Sequence, residues 1–221
     1  MRKGLTLIEM LVVIGIIAIL IGASITGFSK MTKSADQAKA QELVSNVATA
    51  LTALFQAEGN WPKRLAANGQ VDGELDENAA LPLAKKNCLS LTTVGSGDNL
   101  RLAGQDRFGI ITPWALAVVK RKGTSASASD IVTGKSTIRD HTLHYALDLD
   151  GDGIIKGAMV GGKSVDIRAT AAVWCGGKDG VIQPYPYAGG GGSLKKGETA
   201  SGGKFSDDVY SWTPGQTKEV Q

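Results

Sequence analysis

The chain has 221 residues, with 24 Lys and Arg against 21 Asp and Glu and a formal net charge of +3. That length suits one or two domains and excludes a large multidomain enzyme, and so small and evenly interspersed a charge does not build a nucleic-acid-binding surface, so no nucleic-acid partner is expected. Hydrophobic residues reach 43%, which excludes global disorder, while 29 glycines and 5% aromatics predict a loop-rich chain with a lean core.

The apolar residues are concentrated at the start. The opening MRKGLTLIEMLVVIGIIAILIGASITGF carries one charge, Glu9, between Leu5 and Phe28. About 20 apolar residues at helical rise cross a bilayer. A cleaved secretory signal has a shorter apolar core followed by small residues, and Ala23 and Ser24 supply such a site. Glu9 weighs against cleavage there, because a carboxylate in hydrocarbon costs several kcal/mol and normally has a partner or a function. Two compensations stand open. Glu9 snorkels to the headgroups near Arg2 and Lys3, or a positive charge on a neighbouring copy neutralises it and the segment is an assembly element.

Lys3-Gly4 followed by Leu5-Thr6-Leu7-Ile8-Glu9 and an unbroken apolar run resembles the class III signal of type IV pilins and type II secretion pseudopilins. The resemblance implies cleavage by a prepilin peptidase between Gly4 and Leu5, methylation of the new amine on Leu5, and retention of the apolar segment. It assigns assembly roles to Thr6 and Glu9, with Glu9 pairing to the N-terminal ammonium of an adjacent subunit. A subunit lacking the carboxylate leaves that ammonium buried and unpaired. Leu5 replaces the commoner phenylalanine, and Thr26 stands where many members have a kinking proline, so any bend in the stem falls at Gly15, Gly22 or Gly27. Arg2 and Lys3 before the span are matched by Lys30 and Lys33 after it. The positive-inside count therefore leaves orientation open, and a cytoplasmic N-terminus is what the resemblance implies.

Beyond the span, Val44, Val47, Ala48, Leu51, Leu54 and Phe55 recur at steps of three and four, an amphipathic helix. Gly59-Asn60 followed by Trp61-Pro62 is its stop signal, and FQAEGNWP is similar to the pseudopilin stretch that closes the long helix. One helix from about Leu5 to Glu58 would be roughly 80 Å long, and its first half would find no partner within one chain. The reading is a leader over 1–4, a helix over 5–58 with 5–28 as transmembrane segment and filament core, and a globular head over 59–221. The fold class is α+β, the pilin fold: a long N-terminal helix packed on a small antiparallel sheet, with a Gly-rich C-terminal loop.

In the head, a short helix is expected around Ala79 to Lys86. Asp106-Arg107-Phe108-Gly109, followed by Ile110, Ile111 and Trp114, resembles the turn and strand that open the pseudopilin sheet. Strands are expected over Trp114 to Val119, His141 to Leu149 and Asp166 to Trp174, with Leu143, Tyr145, Leu147 and Leu149 sharing one core face by period two. VWCGGKDG and FSDDVYSW bracket a Gly-rich insertion through Gly189 to Gly203. Asp179, Asp207 and Asp208 at its ends are either turn residues or a clamp on a hard cation, for which calcium has the suitable oxygen-rich coordination. The resemblance supports calcium, because major pseudopilins bind it in a C-terminal loop of similar layout. Asp148, Asp150 and Asp152 match the first half of an EF-hand loop, but Met159 stands where a bidentate Glu belongs. An Asp-Gly hairpin turn is expected there, with a second calcium site as the alternative.

Gly157 to Ser164 spells the P-loop expression G-x-x-x-x-G-K-S, yet Val165-Asp-Ile167-Arg-Ala169 alternates like a strand where a helix is needed, so nucleotide binding is not expected. His141 and His144 point to opposite faces if they lie on one strand, so a joint metal site is not expected. Cys88 and Cys175 allow one disulfide in an exported domain. No nucleophile motif or zinc spacing supports catalysis, so the chain is not expected to be an enzyme.

The functional expectation is a subunit of a type II secretion pseudopilus or type IV pilus-like filament, polymerising as a helical homo-oligomer through its N-terminal helix to support protein export. Its expected partners are prepilin peptidase, an inner-membrane assembly platform and, before assembly, inner-membrane lipid, with the head in the bacterial periplasm. The alternative is a minor pilin at a filament tip that binds DNA, surfaces or exported substrate. A membrane-anchored enzyme is a third reading.

Overall fold

The computed structural model describes residues 7–133, 136–182, 208–212 and 217–219, without the side chains of 22–30, 33, 68, 133 and 217–219. The chain divides into two compact units, Met1–Ala38 and Lys39–Gln221. The described helices are α1 (Leu7–Glu58), α2 (Lys63–Asn68), α3 (Glu77–Lys85) and α4 (Pro113–Lys122). The strands are β1 (Gly73–Glu74), β2 (Thr93–Val94), β3 (Arg101–Leu102), β4 (Ile131–Thr133), β5 (Ser136–Thr137), β6 (His144–Leu147), β7 (Ile155–Val160), β8 (Lys163–Ile167), β9 (Ala171–Cys175), β10 (Val209–Tyr210) and β11 (Thr217–Glu219). Helices with small antiparallel sheets make the class α+β, as expected.

α1 ends where its stop signal stands. Gly59 takes φ +70°, open to glycine and costly to most residues, and its N–H reaches back to the Phe55 carbonyl at 2.8 Å. In the second unit the helix buries Ala40, Val44, Val47, Ala50, Leu51 and Leu54, the face set by the three-four spacing, with Ala48 and Phe55 packed at its margin. This face joins a core with Leu65, Leu75, Leu83, Tyr145, Leu147, Val173 and Val209. Each large aliphatic side chain buried there is worth about 1.5–3 kcal/mol. The sheet belonging to this core has the order β1-β6-β9-β10, antiparallel throughout. Its opposite residues Ala146, Ala172 and Trp174 pack instead on Ile155, Val160, Val165 and Ile167 of the β11-β8-β7 sheet. β9 is therefore buried on both faces, from Ala171 through Cys175.

The helix expected at 79–86 is α3, begun by Asp76, whose carboxylate accepts the Ala79 N–H at 2.8 Å. Four expectations are corrected. Trp114 to Val119 lies in helix α4 rather than a strand. Thr112-Pro113 opens it with proline in its first turn, and Ala115, Val118 and Val119 are buried at helical spacing. The stretch around Asp106 to Gly109 is a 3-10 turn over Gly104–Phe108, after which Ile111 makes only an isolated bridge to Thr142. The strand expected over His141–Leu149 is confined to β6, because Arg139–His141 forms a 3-10 turn; Leu143, Tyr145 and Leu147 are in the core, but Leu149 is 44% exposed. The strand expected over Asp166–Trp174 is two strands in different sheets, β8 and β9, broken at Arg168–Thr170.

Candidate functional sites: the apolar stem and the acidic loops

In the first unit, α1 exposes its large apolar side chains all round, from Leu7 at 83% to Val13 at 47% and on to Ile21. A helix hydrophobic on every side belongs in a lipid or protein interior rather than water. Glu9 lies in its first turn and is exposed. Among the described residues no helix is long and apolar enough to cross a membrane. The side chains of 22–30, within the span expected over 5–28, lie outside the description, as do Gly4, Leu5 and Thr6 altogether.

The second unit holds the acidic loops. Asp148, Asp150 and Asp152 converge, one carboxylate oxygen from each lying within 4.8 Å of the others. Asp148 is buried, and its two oxygens accept the N–H groups of Gly151 and Gly153, both at 2.8 Å. Those glycines take φ +77° and +83°, the Asp-Gly chemistry expected of a turn. The hairpin is corrected, because the loop joins β6 to β7, which lie in different sheets. The Lys156 ammonium sits between Asp150 at 2.6 Å and Asp152 at 2.5 Å, so the loop already carries an internal cation. That ammonium holds the Asp150 carboxyl below the usual carboxylate range, and the two carboxylates push the lysine up, Asp150 foremost.

At the mouth of the Gly-rich insertion, the β9–β10 register pairs Val209 with Cys175. Asp208 immediately precedes that pair on one strand and Asp179 follows it on the other, so antiparallel pairing brings both to the same end of the sheet. Asp179 is exposed and its Oδ1 accepts the Val181 N–H at 2.9 Å, while Asp208 Oδ2 accepts the Tyr210 hydroxyl at 3.0 Å. Asp207 lies outside the described residues. The carboxylates of Asp179 and Asp208 are hard oxygen donors of the kind calcium takes.

The histidines are separate. His144 Nδ1 pairs with Asp72 at 2.7 Å, and its ring stacks on Trp174. His141, in the 3-10 turn rather than on a strand, is buried between the hydroxyls of Thr112 at 3.0 Å from Nδ1 and Ser136 at 3.2 Å from Nε2. Desolvation lowers its pKa, against the attraction of the Asp140 and Asp179 charges. Spacing gave no sign of this role, since Thr112 is the residue before α4 and Ser136 lies in β5. Cys88 is half-buried and Cys175 is buried, and no disulfide joins the two. Gly157 to Ser164 is the β7–β8 hairpin, turning at Gly161-Gly162, with a strand where a P-loop has a helix.

Residues 1–25 match the family model described as the prokaryotic N-terminal methylation motif. The chain carries a class III signal. It is type IV pilin-like in that segment, and the exposed apolar surface of α1 from Leu7 to Ile21 lies within it. No solved structure matches the fold.

Proposed function

We propose that the chain is a structural subunit of a type II secretion pseudopilus or type IV pilus-like filament that supports protein export. The observation that carries this reading is a class III signal running into a helix whose apolar side chains are exposed on every side. Leaving that surface in water forfeits on the order of 1.5–3 kcal/mol per large side chain. Membrane lipid before assembly and the helices of neighbouring copies afterwards both recover it. Prepilin peptidase would cut at Gly4-Leu5, an inner-membrane platform would draw the stem out of the bilayer, and the head would stand in the periplasm. Thr6 and Glu9 would set the register between copies, Glu9 by pairing with the neighbour's N-terminal ammonium.

Asp179, Asp207 and Asp208 would hold calcium and close the Gly-rich insertion, a cross-link that stabilises the folded head as any ligand of the native state does. Bound there, the ion supplies charge neutralisation and a fixed loop end, with no chemical step.

Mass spectrometry of the protein isolated from membranes tests the processing, and electron microscopy of the same material tests assembly. A mature chain beginning at methylated Leu5 and forming filaments supports the reading. A chain beginning after residue 20 and remaining a dissolved monomer overturns it.

A further inference from the structure

The second unit carries a basic cleft that neither the fold nor the stem requires. It is a hollow of about 280 Å³ where the end of α1, the start of α2 and the end of α3 meet, lined by Lys63, Arg64, Lys85, Lys86 and Glu58 over the rings of Pro62 and Pro82. Glu58 is matched to Lys86 at 2.5 Å. Lys63, Arg64 and Lys85 are exposed and take no hydrogen bond or ion pair among the described residues. Lys85, in the last turn of α3, is favoured by the helix dipole. Lys63 and Arg64 open α2, whose first turn holds no acid, and there the dipole opposes them. Helix stability does not explain their placement.

The occupant follows from charge and from what this chain can offer. Three unmatched cations over two rigid apolar rings suit carboxylates on short methylene stems, and a guanidinium forks onto a carboxylate bidentately. Among the described residues of the head, Asp72 is already paired with His144, Asp130 with Lys122, and Asp150 and Asp152 with Lys156. The acidic loop also lies beside the cleft, since Trp61, two residues before Lys63, bonds the Asp148 carbonyl. A second copy would therefore bring like charge against like as well as opposite charges together. We propose that the cleft docks an acidic segment of a different protein, its Glu or Asp carboxylates seated among Lys63, Arg64 and Lys85. This goes beyond the filament reading and does not depend on it.

The test is fluorescence anisotropy of the full chain in detergent micelles with a fluorescein-labelled hexaglutamate peptide, and with hexaglutamine as the neutral control. Binding of hexaglutamate alone is expected, weakening as salt rises. Lys63→Gln with Arg64→Gln should weaken it at least about tenfold, and Lys85→Gln, from a different helix, about threefold, with melting temperature unchanged. Removing the same charge at the end of α4, with Lys120→Gln and Arg121→Gln, should leave affinity within about twofold. Absence of hexaglutamate binding, or an equal loss from the α4 pair, overturns the proposal. So does displacement of the peptide by inorganic phosphate at equal concentration, which marks a phosphate site. Self-association of the full chain that the cleft variants abolish marks a second copy as the occupant and overturns it as well.

Discussion

The indole Nε1 of Trp61 donates to the backbone carbonyl of Asp148 at 2.6 Å, while the same ring stacks on Phe55 at a centroid distance of 4.8 Å. One side chain thus joins the last turn of the long helix to the acidic loop that follows β6. Trp61→Phe keeps the stacking and removes the donor, leaving a carbonyl inside the contact unsatisfied. The expected cost is about 1–3 kcal/mol, and for Trp61→Ala about 3–5 kcal/mol. Urea titration of the two variants checks the ranking, and equal losses would mean that the hydrogen bond, not the ring, makes the connection.

Lys156 lies between Asp150 and Asp152, and its hydrogen bond is the largest influence holding the Asp150 carboxyl below the ordinary value of 3.8. A depressed folded-state value means that the folded protein binds fewer acid protons than the unfolded chain. Its stabilisation is complete above the unfolded carboxylate range and is lost as pH falls through the folded value. Both groups are exposed, so the effect is small and salt-sensitive. Lys156→Met should lower stability slightly at pH 7 and flatten the acid limb of the stability curve below about pH 4 by the same small amount. A stability profile from pH 2 to pH 7 decides it, and an unaltered acid limb would show that other carboxylates govern it.

The long helix and its buried face were legible because Val44, Val47, Leu51 and Leu54 repeat at helical spacing and Gly59 marks the end. The class III signal was legible because its residues are local and contiguous. Trp114 to Val119 misled because Ala, Leu and Val serve either a helix or a buried strand. The deciding features were Pro113 in the first turn and Gly123 at φ +58° after the last. Leu149 misled because period two holds only as long as the strand does, and β6 stops at Leu147. Among the candidate site residues, the contacts of Asp148 with Gly151 and Gly153 are local and readable from Asp-Gly chemistry. The bond from Trp61, the pairing of Lys156 and the setting of His141 depend on how separate elements meet, which no window of sequence contains.

Gly109 follows the 3-10 turn at φ +83°, and a Cβ built there would lie 2.2 Å from the Leu75 carbonyl oxygen and 2.6 Å from the Asp76 Cα. The neighbouring Ile110 N–H bonds that same carbonyl at 2.8 Å, so the two backbones are held together. Gly109→Ala must strain φ and also separate that pair. The strain alone is worth on the order of 1–3 kcal/mol, and the clash adds to it. Thermal unfolding should show a loss well above that of Gly151→Ala, which shares a positive φ of +77° but whose Cβ would meet nothing within 4 Å. Equal losses would assign the whole effect to φ.

Glu9 lies in the first turn of an otherwise apolar exposed stretch. If its carboxylate meets the ammonium of a neighbouring subunit, removing it strands a buried positive charge, a cost of about 3–5 kcal/mol per contact. Glu9→Ala should therefore leave processing at Gly4-Leu5 and membrane insertion intact, yet lower filament yield by more than about tenfold. Glu9→Asp should restore part of it. Immunoblotting of membrane fractions separates processing from assembly, and a normal yield of filaments from Glu9→Ala would remove the pairing role.

His141 gives the head a dependence on pH at its other end. It is buried between Thr112 and Ser136, with Asp140, Asp179 and the Gly177 backbone around it and the Trp114 ring 6.4 Å away. Burial is the largest influence and lowers its pKa from 6.5, while the two carboxylates oppose it in part. The unfolded chain then binds the proton more readily than the folded one, so stability rises with pH through this window. The contribution is complete above about pH 6.5 and declines below it until the folded histidine also titrates. His141→Gln keeps hydrogen-bonding capacity and cannot titrate, so it should abolish that slope while costing some stability at neutral pH. Chemical denaturation at half-unit steps from pH 5 to pH 8 measures both, and a slope that persists in His141→Gln would mean that His141 does not carry it.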